Sequence, residues 1–104
     1  MTTFDDREKA FERKFVLDED QKFRAMARRN RLLGDWAAAK QGKIGDDAVA
    51  YAKSVVAADF VEAGDDDVFR KVRADMPASV SDEEIRAAMN EFLDQAATEV
   101  KASS

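Results

Sequence analysis

FDDREKAFERKFVLDEDQKFRAMARRNRLL, residues 4–33, contains neither glycine nor proline, so nothing local obliges the chain to leave a helix anywhere along it. In its first half Phe4, Phe11 and Phe15 are spaced by seven and then four residues. On a helix of 3.6 residues per turn these three rings point the same way within roughly 20°. The rest of that helix is wet. Asp5, Asp6, Arg7, Glu8, Lys9, Glu12, Arg13 and Lys14 cancel to zero net charge, and Asp5 with Lys9 forms an i,i+4 pair in the favourable acid-first order. Such a segment orders well only against an apolar surface. It reads either as the first turns of a long core helix or as an amphipathic peptide that finds a groove on a partner.

The second half of the stretch carries its own start signal. Asp18, Glu19 and Asp20 suit an N-cap and an acidic first turn, and the apolar stripe lapses at Asp18, Glu19 and Lys22. The expectation is a helix from about Glu19 to Lys40, with residues 1–17 weakly ordered when the protein is alone. Phe23, Met26, Leu33 and Ala37 would form its core face, with Trp36 at the edge. Gly42 and Gly45 then supply the left-handed backbone that ends a helix.

Outward from there the helical spacing repeats. Val49, Ala52, Val56 and Phe60 step along one face of a second helix from Asp46 or Asp47 to Glu62, closed by Gly64. Val68 or Phe69, Val72 and Met76 mark a short third helix that Pro77 ends. Ser81 with Glu84 is a capping box opening a fourth, whose buried face is Ile85, Met89, Phe92, Leu93, Ala96 and Val100. The tail from Lys101 should fray. The fold class is therefore all-α: a small antiparallel four-helix bundle, residues 18–104, carrying a mobile amphipathic N-terminal segment, residues 1–17.

Composition agrees, and it removes several functions. A chain of 104 residues with four glycines, one proline and 38% charged residues suits one helical domain. Cysteine and histidine are absent, which excludes disulfides, thiolate chemistry, the usual zinc sites and histidine-based acid/base schemes. No catalytic role is expected. The opening residues lack a basic region followed by an apolar one, and no uncharged run nears the ~20 residues of a membrane span. A cytoplasmic protein without direct membrane insertion is expected.

Charge is uneven. Residues 1–17 are neutral, residues 18–43 carry four acids against seven bases for a net +3, and residues 44–104 carry fourteen against six for a net −8. Within the middle part Lys22, Arg24, Arg28, Arg29 and Arg31 form a run without an acid, and Arg24, Arg28 and Arg31 share one face, opposite Met26 and Leu33. This ridge reads as a solvated face or as an electrostatic docking patch. Interleaved aromatics and a glycine-rich phosphate loop are both missing, and the acidic second half repels a polyanion, so no nucleic-acid partner is expected. The acids of Asp65, Asp66 and Asp67, and of Asp46 and Asp47, fit helix starts better than a metal site, because consecutive helical carboxylates diverge. Asp59, between Ala58 and Phe60, reads as a surface residue or as the partner of a basic side chain on another helix. Trp36 and Tyr51 read as seals on the bundle's side, polar tips outward.

The opening TTFDDREKAFERKF, the ARRNRLLGDWAA at residues 27–38 and the AYAKSVVAADFVEAGDDDVFRKVRA at residues 50–74 together resemble the zeta subunit of the alphaproteobacterial F-type ATP synthase. The resemblance runs over nearly the whole chain and is weakest at residues 40–47 and after Pro77. It implies a four-helix bundle without enzymatic activity or cofactor. It further implies that the N-terminal segment inhibits ATP hydrolysis by inserting as a helix at a catalytic alpha/beta interface beside the gamma subunit. Carried onto this chain, the partner-binding residues are Phe4, Asp5, Arg7, Glu8, Lys9, Phe11, Arg13, Lys14 and Phe15. Arg24, Arg28 and Arg31 offer secondary docking or a weak contact with ATP or ADP. The alternative is a helical nucleotide-sensing or nucleic-acid-associated regulator that uses the basic ridge of residues 22–31. The location implied is cytoplasmic, peripheral to the inner membrane through the synthase.

Overall fold

Backbone capping sets the element boundaries, and four helices result among the described residues. The computed structural model describes residues 17–61 and 65–103: α1 (Glu19–Lys40), α2 (Gly45–Val61), α3 (Asp65–Asp75) and α4 (Asp82–Ala102). The expected all-α bundle is the observed one. At the start of α1, Asp18 is extended (φ −77°, ψ 175°) and its side chain accepts from the Gln21 backbone N–H at 2.7 Å. The Gln21 side chain accepts from the Asp18 N–H at 3.1 Å, which completes a capping box. At the other end Gly42 has φ +76°, and the Lys43 N–H reaches the Ala38 carbonyl while the Gly42 N–H reaches that of Ala39. That pair of bonds is a Schellman closure, and it needs a residue free to be left-handed. Ser81 caps α4 by accepting from the Glu84 N–H at 3.1 Å.

The α3–α4 turn is held by a side chain that periodicity did not single out. Arg73 donates to the carbonyls of Pro77 (2.9 Å) and Val80 (2.7 Å) and to Asp82 (3.0 Å). One guanidinium thus satisfies two turn carbonyls and neutralises an acid of the α4 first turn.

α1 is the central element, packed along one side by α2 and along another by α4, while α3 bridges α2 and α4. Two apolar clusters form. The larger joins Leu33, Ala37, Ala38, Tyr51, Val55, Val68, Val72, Met76, Val80, Ile85, Ala88 and Met89. The smaller joins Leu17, Ala25, Leu93, Ala97 and Val100, with Met26 packed against it. Along α1 the two are separated by a buried polar layer, Arg29 and Asn30.

A helix covered on two sides buries two stripes, and this corrects the expected core face of α1. Leu33 and Ala37 are buried as expected, but Met26 is only partly so and Phe23 is 57% exposed. Ala25, Gly34 and Ala38 are buried instead, because small residues let α1 approach its neighbours closely. Phe23 lies two turns, about 10 Å, before Asn30 on the α2-facing side, and α2 stops two residues after the Asp59 that meets Asn30. On α2, Ala52 is buried as expected, whereas Val49 is 39% exposed and the core is completed by Tyr51 and Val55. Phe92 packs against the core from a half-buried position, and the remaining expected α4 residues are buried. Helix α4 continues through Ala102, beyond the residue where fraying was expected. Gly64 and Glu62 lie outside the described residues.

Candidate functional site

The nine residues singled out for partner binding, from Phe4 to Phe15, lie outside the described residues. What the structure describes is the point at which that segment joins the bundle. Leu17 is only 9% exposed although it lies outside α1, because it belongs to the apolar cluster of Ala25, Leu93, Ala97 and Val100, against which Met26 packs. This is the end of the bundle formed by the start of α1 and the last turns of α4. The next residue, Asp18, is the α1 cap.

The basic ridge sits beside this junction, and its three arginines are paired within the chain. Arg24 Nε is 3.1 Å from Asp20, Arg28 Nε 2.8 Å from Glu99 of α4, and Arg31 Nε 3.4 Å from Asp35. Arg28 is the one that links elements. Glu99 also accepts from Gln95 at 2.9 Å, and these two hydrogen bonds, Gln95's first and Arg28's second, hold its carboxyl below the usual carboxylate range. Arg29, read from the sequence as part of the solvated run, is instead fully buried. Its Nε donates to Asn30 Oδ1 at 2.8 Å, and Asn30 Nδ2 donates to Asp59 Oδ2 at 3.1 Å. Asp59 is thus tied to a neighbouring helix, through Asn30. The sequence signal was available in the unbroken spacing of Ala25, Arg29 and Leu33, with the cation read as surface by its type alone.

At the other end of α1, an open cleft of about 450 Å³ is lined by Lys40, Gln41, Lys43, Asp75, Met76 and Pro77. Its charges are already engaged. Lys40 stands over the Trp36 ring at 5.9 Å and Lys43 over the Tyr51 ring at 5.8 Å. Asp75 accepts from the Tyr51 hydroxyl and from Lys71, both at 3.0 Å. Burial, and then the bond to Asp75, push the Tyr51 hydroxyl's pKa up, so the phenol stays neutral. Trp36 packs against the core from its edge as expected, whereas Tyr51 is a core member whose hydroxyl is turned to Asp75. Among the described residues no three carboxylates converge as metal ligands would.

Leu17 thus marks the place where the chain enters the described bundle. A family model described as ATPase inhibitor subunit zeta matches residues 1–99. The chain belongs to the ATPase inhibitor subunit zeta family. A search of the curated proteins gives no match. Family membership confirms the resemblance read from the three quoted stretches. It makes the protein an ATPase inhibitor subunit, points to a regulatory role and implies association with an ATP synthase. Among the described residues no helix is long and apolar enough to cross a membrane. The match begins at residue 1, so the opening segment that carries Phe4, Phe11 and Phe15 lies within it.

Proposed function

We propose that this zeta subunit inhibits ATP hydrolysis by the F-type ATP synthase through residues 1–17, which wedge as a helix at a catalytic alpha/beta interface next to gamma. The observation that carries this reading is the extent of the family match, which includes the opening segment as well as the bundle. Phe4, Phe11 and Phe15 bury against the interface, at roughly 1.5–3 kcal/mol per ring before the cost of ordering the peptide. Asp5, Arg7, Glu8, Lys9, Arg13 and Lys14 set register and orientation, since mixed charges on a neutral helix select a partner more than they add affinity. A helix held there blocks the opening and closing that hydrolysis requires. Rotation in the synthesis direction loosens the same interface, so the block acts one way.

In this reading the bundle is the carrier, and the Arg24, Arg28 and Arg31 ridge adds contacts beside the exit of the segment. Each of these arginines would exchange its internal carboxylate for one on the partner. The protein would work on the cytoplasmic side, held near the inner membrane by the synthase alone.

The test is ATP hydrolysis by the synthase's soluble catalytic head, titrated with the full chain and with a chain starting at Asp18. The expected result is inhibition by the full chain only. Equal inhibition by both would transfer the activity to the bundle and overturn the assignment of the phenylalanines.

A further inference from the structure

We propose that the outward face of α2 is a docking surface for a second copy of this chain, the two helices running antiparallel so that Asp46 of each meets Lys53 of the other.

The outer side of α2 does not have the composition of a solvated face. Of the eleven residues between Asp47 and Asp59, AVAYAKSVVAA, Lys53 alone is charged, in a chain that is 38% charged. α1 and α3 cover the side that holds Ala52 and Val55. Turned away from that side, Asp46, Val49, Ala50, Lys53 and Ala57 recur at helical spacing and are all exposed. Ile44, immediately before the helix, is 82% exposed and Val49 is 39% exposed, so α2 and the residue before it carry two of the three large hydrophobic residues exposed among the described residues. A helix with apolar residues on both sides is ordinarily covered on both.

Charge says what covers it. Among the described residues every lysine and arginine except Lys53 is engaged by another group of the chain. Asp46 and Lys53 stand two turns apart on one face, about 10 Å along the axis, too far to pair with each other. An antiparallel copy reverses the order of that line. With a two-fold axis between Val49 and Ala50, Asp46 of each copy comes opposite Lys53 of the other, Val49 comes opposite Ala50, and Ile44 reaches the half-buried Val56 and the exposed Ala57. A parallel pair would instead set lysine on lysine and aspartate on aspartate. Sliding the antiparallel pair by one turn, so that Lys53 faces Ala50, leaves the two lysines within about 5 Å along the axis. Of these arrangements the first alone pairs both charges.

Exposed ion pairs add little affinity but select orientation and register, and the contact of Ile44, Val49, Ala50 and Ala57 supplies the attraction. One face of a 17-residue helix, about 25 Å long, makes an interface at the small end of the range, so the pair is transient and forms with rising concentration. It does not depend on the opening segment.

Sedimentation velocity of the full chain from about 10 µM to about 1 mM tests the pairing. The weight-average mass should climb from 11.6 kDa toward twice that value. Lys53→Asp and Asp46→Lys should each weaken association about tenfold or more, and the double exchange should restore it because it rebuilds the same two pairs. Val49→Ser should weaken it with no change in charge, and far-UV circular dichroism should match the parent for all of these exposed positions. The chain has no cysteine, so a disulfide reports proximity directly. Ala50→Cys, beside the two-fold axis, should cross-link under mild oxidation, whereas Glu91→Cys, exposed on α4, should not. A mass that stays at 11.6 kDa throughout overturns the inference, as does a charge exchange that fails to restore association or equal cross-linking at both cysteines. If Lys53→Asp raises the half-inhibitory concentration against the catalytic head while parent and variant are both monomeric, the face belongs to the synthase and the inference is likewise overturned.

Discussion

Tyr51 gives the most direct residue-scale test, since it is the one tyrosine of the chain. Its folded pKa is raised above the ordinary 10.0, so the folded state keeps the phenol neutral where the unfolded state would ionise it. That contribution is complete below pH 10 and fades as pH climbs above it. Absorbance at 295 nm should therefore stay flat past pH 10 and rise only with unfolding, and Tyr51→Phe should remove this part of the alkaline sensitivity. Glu99 works in the opposite sense. Its folded pKa lies below the ordinary 4.5, so its contribution is present above that pH and lost as pH falls through the folded value. Glu99→Gln should flatten this part of the acid limb in urea melts recorded from pH 6 downward. At the buried layer, Asn30→Ala removes the link between Arg29 and Asp59. Taking one buried hydrogen bond from each of those charged groups should cost about 2–3 kcal/mol, read from urea denaturation.

For the helices as elements, Gly34 shows why one small residue decides how two of them meet. A methyl group there would lie 2.6 Å from the Ala52 Cα, so α1 and α2 touch backbone to backbone. Gly34→Ala gains about 1 kcal/mol in helix propensity and loses about 3 kcal/mol to overpacking. The net loss of about 2 kcal/mol should lower the melting temperature by roughly 10 °C. Caps and breakers were legible in the sequence because they act within four residues: Asp18, Gly42 and Ser81 sit where their chemistry predicts. Burial on α1 was less legible. The period of 3.6 identifies a stripe, but it cannot say that a helix has two neighbours, and so it places Phe23 inward and Arg29 outward, the reverse of what the structure shows.

At the scale of the whole molecule, the smaller apolar cluster ties both ends of the described chain together, Leu17 with Leu93, Ala97 and Val100. A chain starting at Asp18 loses that contact and should be less stable by about 2 kcal/mol while still folding, a difference scanning calorimetry would register. An unchanged melting temperature would mean that Leu17 contributes nothing to the bundle.

The sequence alone determined the helical class, the helix starts and stops of the described residues, the phenylalanine spacing of residues 4–15 and the family, because each rests on local chemistry or on the order of residues. Tertiary structure alone decided that Arg29 and Asn30 form a buried layer, that Arg28 reaches Glu99, that Arg73 holds the last turn, and that Leu17 is seated by α4. Those outcomes depend on which surfaces meet across the chain. A side chain's own type and spacing carry no record of the neighbour that covers it.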